Sequence, residues 1–209
     1  MSGMNYQGIV VGPPAAGKST LVASVLRSHL DNGAWVFAHD PNHQFQSLCA
    51  KYKNAGAWKV AAAKAAADDA PMPRGALFYD CAAEEVSSLA VELGERHNRV
   101  GAVRFPMVVA FDEGSLLDDS GQSHVGKEDG RLMATRRHKG VGLVWNVQSP
   151  TMLMRRFWEL STDAYLFRQP TDRVRTLEQL LGLNPGELAG LPSLPAYRYY
   201  HWQAGKGLV

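Results

Sequence analysis

The sequence predicts an α/β fold in which a mostly parallel central sheet carries helices on both faces. Short apolar runs alternate with stretches of helical periodicity from Ile9 to Phe167, the pattern of strand–helix–strand units. The runs Ile9-Val10-Val11 and Pro106-Met107-Val108-Val109-Ala110-Phe111 are continuously apolar, as expected of strands buried on both faces. Several end in polar turns, namely His39-Asp40-Pro41, Asp112-Glu113 and Gln148-Ser149-Pro150. Open parallel sheets present ligand crevices at that edge.

Taken in order, Ile9 to Val11 is a first strand, and a helix follows from Lys18 to about Leu30. Its apolar face is Leu21, Val22, Val25, Leu26 and Leu30, and Asp31-Asn32-Gly33 stops it. Ala34 to Ala38 is a second buried strand. A helix is expected after Pro41, with Phe45, Leu48 and Tyr52 on one face. The Ala-rich segment Val60 to Ala70 has helical composition and closes at Pro71-Met72-Pro73. Leu77-Phe78-Tyr79 is a short strand, and Ala82 to Arg96 an amphipathic helix with Val86, Leu89, Ala90 and Leu93 inward. After the strand ending at Phe111, the polar, glycine-bearing stretch Gly114 to Gly130 reads as a loop. A basic helix spans Arg131 to Lys139, and Val141 to Val147 is another buried strand. A helix around Met152 to Glu159, a strand at Ala164 to Phe167 and a helix from Arg173 to Leu181 complete the alternation. Tyr197 to Trp202 reads as a final strand or edge hairpin.

The chain of 209 residues is read as one domain over residues 1–209, long enough to bury a core. Hydrophobic residues at 45% and charged residues at 20% suit a soluble globular protein. A formal charge of +2 is too small to argue for nucleic acid. Its distribution is uneven: Met1 to Gly126 holds ten Lys/Arg against thirteen Asp/Glu, and Lys127 to Arg175 ten against five. Cys49 and Cys81 are widely spaced and belong to no Cys/His cluster, which argues against a metal site and for a reducing compartment. No apolar run approaches the roughly 18 residues of a membrane span, and no basic-then-apolar leader is visible; a cytoplasmic protein is expected.

The chemistry-bearing motif is Gly12-Pro13-Pro14-Ala15-Ala16-Gly17-Lys18-Ser19-Thr20. It spells G-x-x-x-x-G-K-S between a buried strand and a helix, which is the context a phosphate-binding loop requires. Gly12 and Gly17 permit a tight turn that brings backbone N–H groups around an anion, and the helix points its positive end at the same place. In that role Lys18 bridges the β- and γ-phosphates of a nucleotide such as ATP, and Ser19 holds Mg²⁺ through its hydroxyl.

Asp112-Glu113 is the second element. Asp112 is placed to hold Mg²⁺ through its water shell, because Mg²⁺ dehydrates reluctantly. Glu113 is the candidate general base for an attacking water. The alternative is a solvated acidic turn; the phosphate loop upstream weighs against it. Gln148, at the end of a buried strand, is a candidate sensor of the γ-phosphate. On position alone it reads as readily as a strand-end residue before a Ser-Pro turn. The basic helix at Arg131, Arg136, Arg137, His138 and Lys139 is either a solvated face or the source of a cation for a neighbouring subunit's site. Arg136 or Arg137 is the candidate for such a finger, with Arg155 and Arg156 as competitors.

Order and spelling resemble the FtsK/HerA superfamily of P-loop ATPases. The resemblance rests on Gly12 to Thr20, on Val108 to Glu113, and on Arg136 to Val144 running into Gln148-Ser149-Pro150. Val147 departs mildly from the Thr or Ser common at its place. His39-Asp40-Pro41 and Asp163 to Arg168 are similar to flanking strands of the family. A bare core of this length resembles the genome-packaging ATPases of membrane-containing icosahedral viruses. The resemblance implies a RecA/FtsK-HerA-like P-loop NTPase fold, ATP and Mg²⁺ as cofactors, double-stranded DNA as partner and a homo-oligomeric ring, hexamer or pentamer. It further implies a capsid-vertex or viral membrane protein as anchor, in host cytoplasm or at the virion packaging vertex. Loops between Asp118 and Gly130, bearing His124 and Lys127, are candidates to reach DNA. The competing readings are a small-molecule phosphotransferase and an ATP-dependent switch or loader that does not translocate.

Overall fold

A computed structural model describes residues 6–45, 47–99, 106–112, 130–134 and 140–209. Its described strands form one sheet in the order β3-β4-β2-β5-β6-β1-β7-β8-β9. These are β1 (Gln7–Val11), β2 (Trp35–His39), β3 (Ala50–Tyr52), β4 (Gly75–Phe78), β5 (Met107–Phe111), β6 (Val141–Val147), β7 (Asp163–Phe167), β8 (Tyr199–Gln203) and β9 (Gly207–Leu208). Pairing is parallel from β3 through β7. It turns antiparallel only where β8 and β9 extend the edge. The expected mostly parallel sheet is thus present, and the tail is the edge hairpin.

The helices are α1 (Lys18–Asp31), α2 (Ala55–Ala67), α3 (Ala83–Arg99), α4 (Arg155–Glu159) and α5 (Thr171–Leu181), with helical residues also at 130–134. They cover the sheet unequally. Val22 and Leu26 of α1, with Phe45 and Leu48 of the following turn, pack on Val10, Val36, Val108 and Val144. The opposite face takes α2 through α5, including Trp58, Val86, Phe157 and Leu177, on Ile9, Phe37, Phe111 and Trp145. Adjacent strand residues alternate between the two cores, so each inner strand is buried on both faces, which is why it reads as an uninterrupted apolar run.

Three expectations are corrected. Among the described residues no helix follows Pro41: 41–45 and 47–49 form turns and bends, and Tyr52 belongs to β3. The Asp40 carboxylate accepts from the backbone N–H groups of Gln44 (2.6 Å) and Phe45 (3.0 Å). This local alternative to helical hydrogen bonding folds the chain back so that Phe45 reaches the core. α2 also begins before the expected Val60, because Asn54 caps it by accepting from Ala57 N–H at 2.9 Å. The earlier start brings Trp58 into the core, 5.2 Å from Phe37 and 6.0 Å from Trp35 between ring centroids. The stretch expected as a helix around Met152 to Glu159 divides into a 3₁₀ turn at Pro150–Met152 and α4.

Candidate functional site

The site is built where β1, β5 and β6 lie side by side. Phe111 of β5 pairs with Trp145 of β6, and Val147 of β6 pairs with Val11 of β1. Asp112, Gln148 and Gly12 are the next residues along these three strands, so backbone register alone brings them to one edge of the sheet. The order departs from chain order here: β1 is flanked by β6 and β7, and β2 lies beyond β5. A crevice at the carboxyl ends of strands is the expected ligand position at such a switch.

The loop after β1 is tied down on both sides. Gly12 N–H donates to the Val147 carbonyl at 3.2 Å, and Ala16 N–H donates to the Pro13 carbonyl at 3.4 Å. Gly12 passes so close to β7 that a Cβ there would stand 2.5 Å from Phe167 Cβ. Gly17 has φ of 102°, a left-handed conformation that side chains oppose. Lys18 is 6% exposed and its ammonium donates to the Pro13 carbonyl at 3.0 Å, folded across the loop. Ser19 is half-buried and Thr20 exposed. Among the described residues no side chain caps α1, and its first turn carries no acidic group. The helix therefore presents its N–H groups and positive dipole end to whatever the loop holds. Pro13 and Pro14 contribute no N–H, so the donors of the loop are those from Ala15 onward.

Asp112 is 3% exposed and fixed from neighbouring strands. Its backbone N–H donates to the His39 carbonyl at 3.0 Å. The Asn146 amide donates to Oδ1 at 2.7 Å, and Asn42 donates to Oδ2 at 3.4 Å. Nearby Asp40 has its pKa raised by burial, against the two backbone N–H groups that it accepts from, and further by the charge of Asp112. Asp40 organises its turn through those two backbone N–H groups. Asp112, 3% exposed in the crevice beside a loop bearing Lys18 and the Ser19 hydroxyl, is a donor set that suits Mg²⁺ bound with a nucleoside triphosphate.

Gln148 is half-buried, and its carbonyl accepts from the Gln169 side chain at 3.2 Å. That bond links the ends of β6 and β7 across the loop that follows β1. Gln169 is 1% exposed and, with Arg168, Pro170, Thr171, Pro192 and Pro13, lines a cleft of about 320 Å³ beside the loop. Arg155 and Arg156 are exposed on α4, and Arg155 pairs with Glu159 of its own helix at 2.9 Å. Glu113, Arg136 and Arg137 lie outside the described residues, as do Asp118, His124 and Lys127.

Sequence reasoning missed Asn146, Asn42, Phe167 and Gln169. Asn146 had a signal, being the one polar side chain within the apolar run Val141 to Val147. Phe167 had none, since its part is a backbone approach visible only in three dimensions. Among the described residues no helix is long and apolar enough to cross a membrane.

No protein-family model matches the sequence, and no curated protein matches it as a relative. Solved structures do. The genome packaging NTPase B204 from Sulfolobus turreted icosahedral virus 2, in complex with ATP-gammaS, superposes with a TM-score of 0.74 at 15% identity, covering 99% of this chain and 95% of that one. The pCW3 conjugation coupling protein TcpA, monomer form with ATPgS, gives 0.65 at 15%, covering 99% of this chain and 59% of that one. VirB4 of Thermoanaerobacter pseudethanolicus gives 0.60 at 12%, covering 97% and 88%. At such identities the likeness concerns the fold alone, which this chain shares with the packaging NTPase over nearly the full length of both.

Proposed function

We propose that this chain is an ATP-hydrolysing DNA translocase, the subunit of a viral genome-packaging motor that moves double-stranded DNA into a procapsid. The observation that carries the reading is the convergence of the Gly12 to Thr20 loop, Asp112 and Gln148 at one edge of three adjacent parallel strands. The likeness to a packaging NTPase over 95% of that protein's length supports the choice among ATPases.

In this reading Lys18 and the N–H groups from Ala15 onward hold the β- and γ-phosphates of ATP. Ser19 and Asp112 hold Mg²⁺, which supplies charge neutralisation on the phosphate oxygens. Glu113 accepts the proton of a water whose oxygen attacks the γ-phosphorus. The bond from that phosphorus to the β,γ-bridging oxygen breaks, and ADP and inorganic phosphate leave. Gln148 senses the terminal phosphate, and the Gln169 contact to its carbonyl gives that signal a path to β7. Arg136 or Arg137 of a neighbouring subunit completes the site in a homo-oligomeric ring, hexamer or pentamer, around duplex DNA. A capsid-vertex or viral membrane protein anchors the ring, in host cytoplasm or at the virion vertex.

Terminally labelled ATP tests the reaction class. Label released as inorganic phosphate, with E113Q retaining ATP binding and losing turnover, agrees with hydrolysis. Label appearing on a nucleotide or metabolite acceptor contradicts it.

A further inference from the structure

We infer that Tyr197 is the platform on which the nucleoside base of the bound triphosphate stacks, an assignment that rests on the nucleotide reading of the Gly12 to Thr20 loop. The starting observation is an aromatic ring in a costly position. Tyr197 is 69% exposed, and its φ of 62° lies in the left-handed region that non-glycine residues avoid. Such outliers concentrate at functional sites, where the surrounding structure holds them. Here the holding contact is the phosphate loop itself: Tyr197 N–H donates to the Ala16 carbonyl at 3.2 Å. The ring lies against Gly17, where an added Cβ would stand 2.7 Å from Tyr197 Cδ1. Gly17 is thus required both by its own backbone and by the approach of this ring.

A row of aromatic rings supports the position. Tyr199, two residues on, pairs with Phe167 across the β7–β8 ladder. Its ring lies 5.3 Å from that of Phe167 and 5.6 Å from that of Tyr165. Phe167 in turn sits beneath Gly12. The ladder Tyr165, Tyr199, Phe167 carries the edge hairpin up to the loop, and Tyr197 ends it in the open.

Sheet order gives the polarity of the ligand. β5 and β6, with Asp112 and Gln148, lie on one side of β1, and β7 and β8 lie on the other. A triphosphate whose terminal phosphate faces Asp112 directs its base away from β5, toward the side where Tyr197 stands. An exposed aromatic face attracts any base through stacking, so the interaction adds affinity with little choice among bases.

Calorimetric titration of the 209-residue chain with Mg-ATP and with Mg-tripolyphosphate, which has phosphates and no base, separates the parts. Y197A should weaken ATP about five- to hundredfold, the span that loss of base–aromatic stacking covers, and leave tripolyphosphate within about twofold. Y197F should bind ATP as the wild type does. Y197G removes the strained φ, so it should hold or raise Tm while losing ATP affinity as Y197A does, which a merely structural tyrosine would not do. Unchanged ATP binding by Y197A, or equal weakening of both ligands, overturns the assignment. A wild-type chain that binds neither ligand instead removes the nucleotide reading beneath it.

Discussion

The Asn146 side chain donates to Asp112 Oδ1 at 2.7 Å, from the strand next to the one that carries the carboxylate. Both residues are 3% exposed. The bond sets the direction of the carboxylate whose other oxygen meets Asn42, so the second strand of the site does more than space the first from the phosphate loop. Asn146→Leu removes the donor while keeping the volume. It should destabilise the fold by about 1–3 kcal/mol, the cost of losing a buried hydrogen bond to a charged group. It should also raise the Mg²⁺ concentration for half-maximal ATP turnover several-fold. Denaturant melts and a Mg²⁺ titration of activity check both; an unchanged Mg²⁺ requirement would make Asn146 a packing residue only.

Gly12 and Phe167 form the second dependent pair. Gly12→Ala drives a methyl group to 2.5 Å from Phe167 Cβ, and because β7 is packed on its far side by β8, neither backbone can withdraw freely. We expect a loss of about 1–3 kcal/mol in folding stability from overpacking, with ATP binding reduced more than stability alone explains. Trimming the clash in Gly12→Ala/Phe167→Ala cannot restore the core that Phe167 fills. A Gly12→Ala chain with wild-type Tm and affinity would show that the approach is not tight.

The cysteines give a prediction about pH. Burial pushes the thiol of Cys49 up to about 12 and that of Cys81 up to about 11. Folded pKa values above the unfolded value mean that the unfolded chain ionises first. Stability from this source is complete below the unfolded thiol pKa, about 8.5, and falls as pH rises through the range up to 11 and 12. Alkylation should therefore be slow at pH 8 in the folded chain and rapid in denaturant. Fast labelling of either folded cysteine at pH 8 would contradict the burial assigned to it.

How far the sequence carried the fold can be judged from single elements. The strand Val141–Val147 was legible to the residue, because a strand buried on both faces leaves an uninterrupted apolar run. The turn from β1 into α1 was legible because its glycines answer to local backbone geometry. The turn after Pro41 was not. Phe45 and Leu48 point inward at helical spacing, but the Asp40 carboxylate captures two backbone N–H groups and fixes a turn instead. Nor was Tyr197 legible as part of the site, since only the antiparallel pairing of β8 with β7 brings it beside Gly17. Local signals reveal residues that act through their own chain neighbourhood, and residues that act by approach from a distant strand need the fold.

The central claim is that ATP hydrolysis drives DNA movement by a ring of these chains. The most direct measurement is the steady-state ATPase rate of the assembled protein with and without double-stranded DNA, taken alongside its native mass. The account predicts a ring-sized oligomer whose turnover rises on adding duplex DNA, with Lys18→Ala inactive under both conditions. A monomer whose turnover is indifferent to duplex DNA would contradict it.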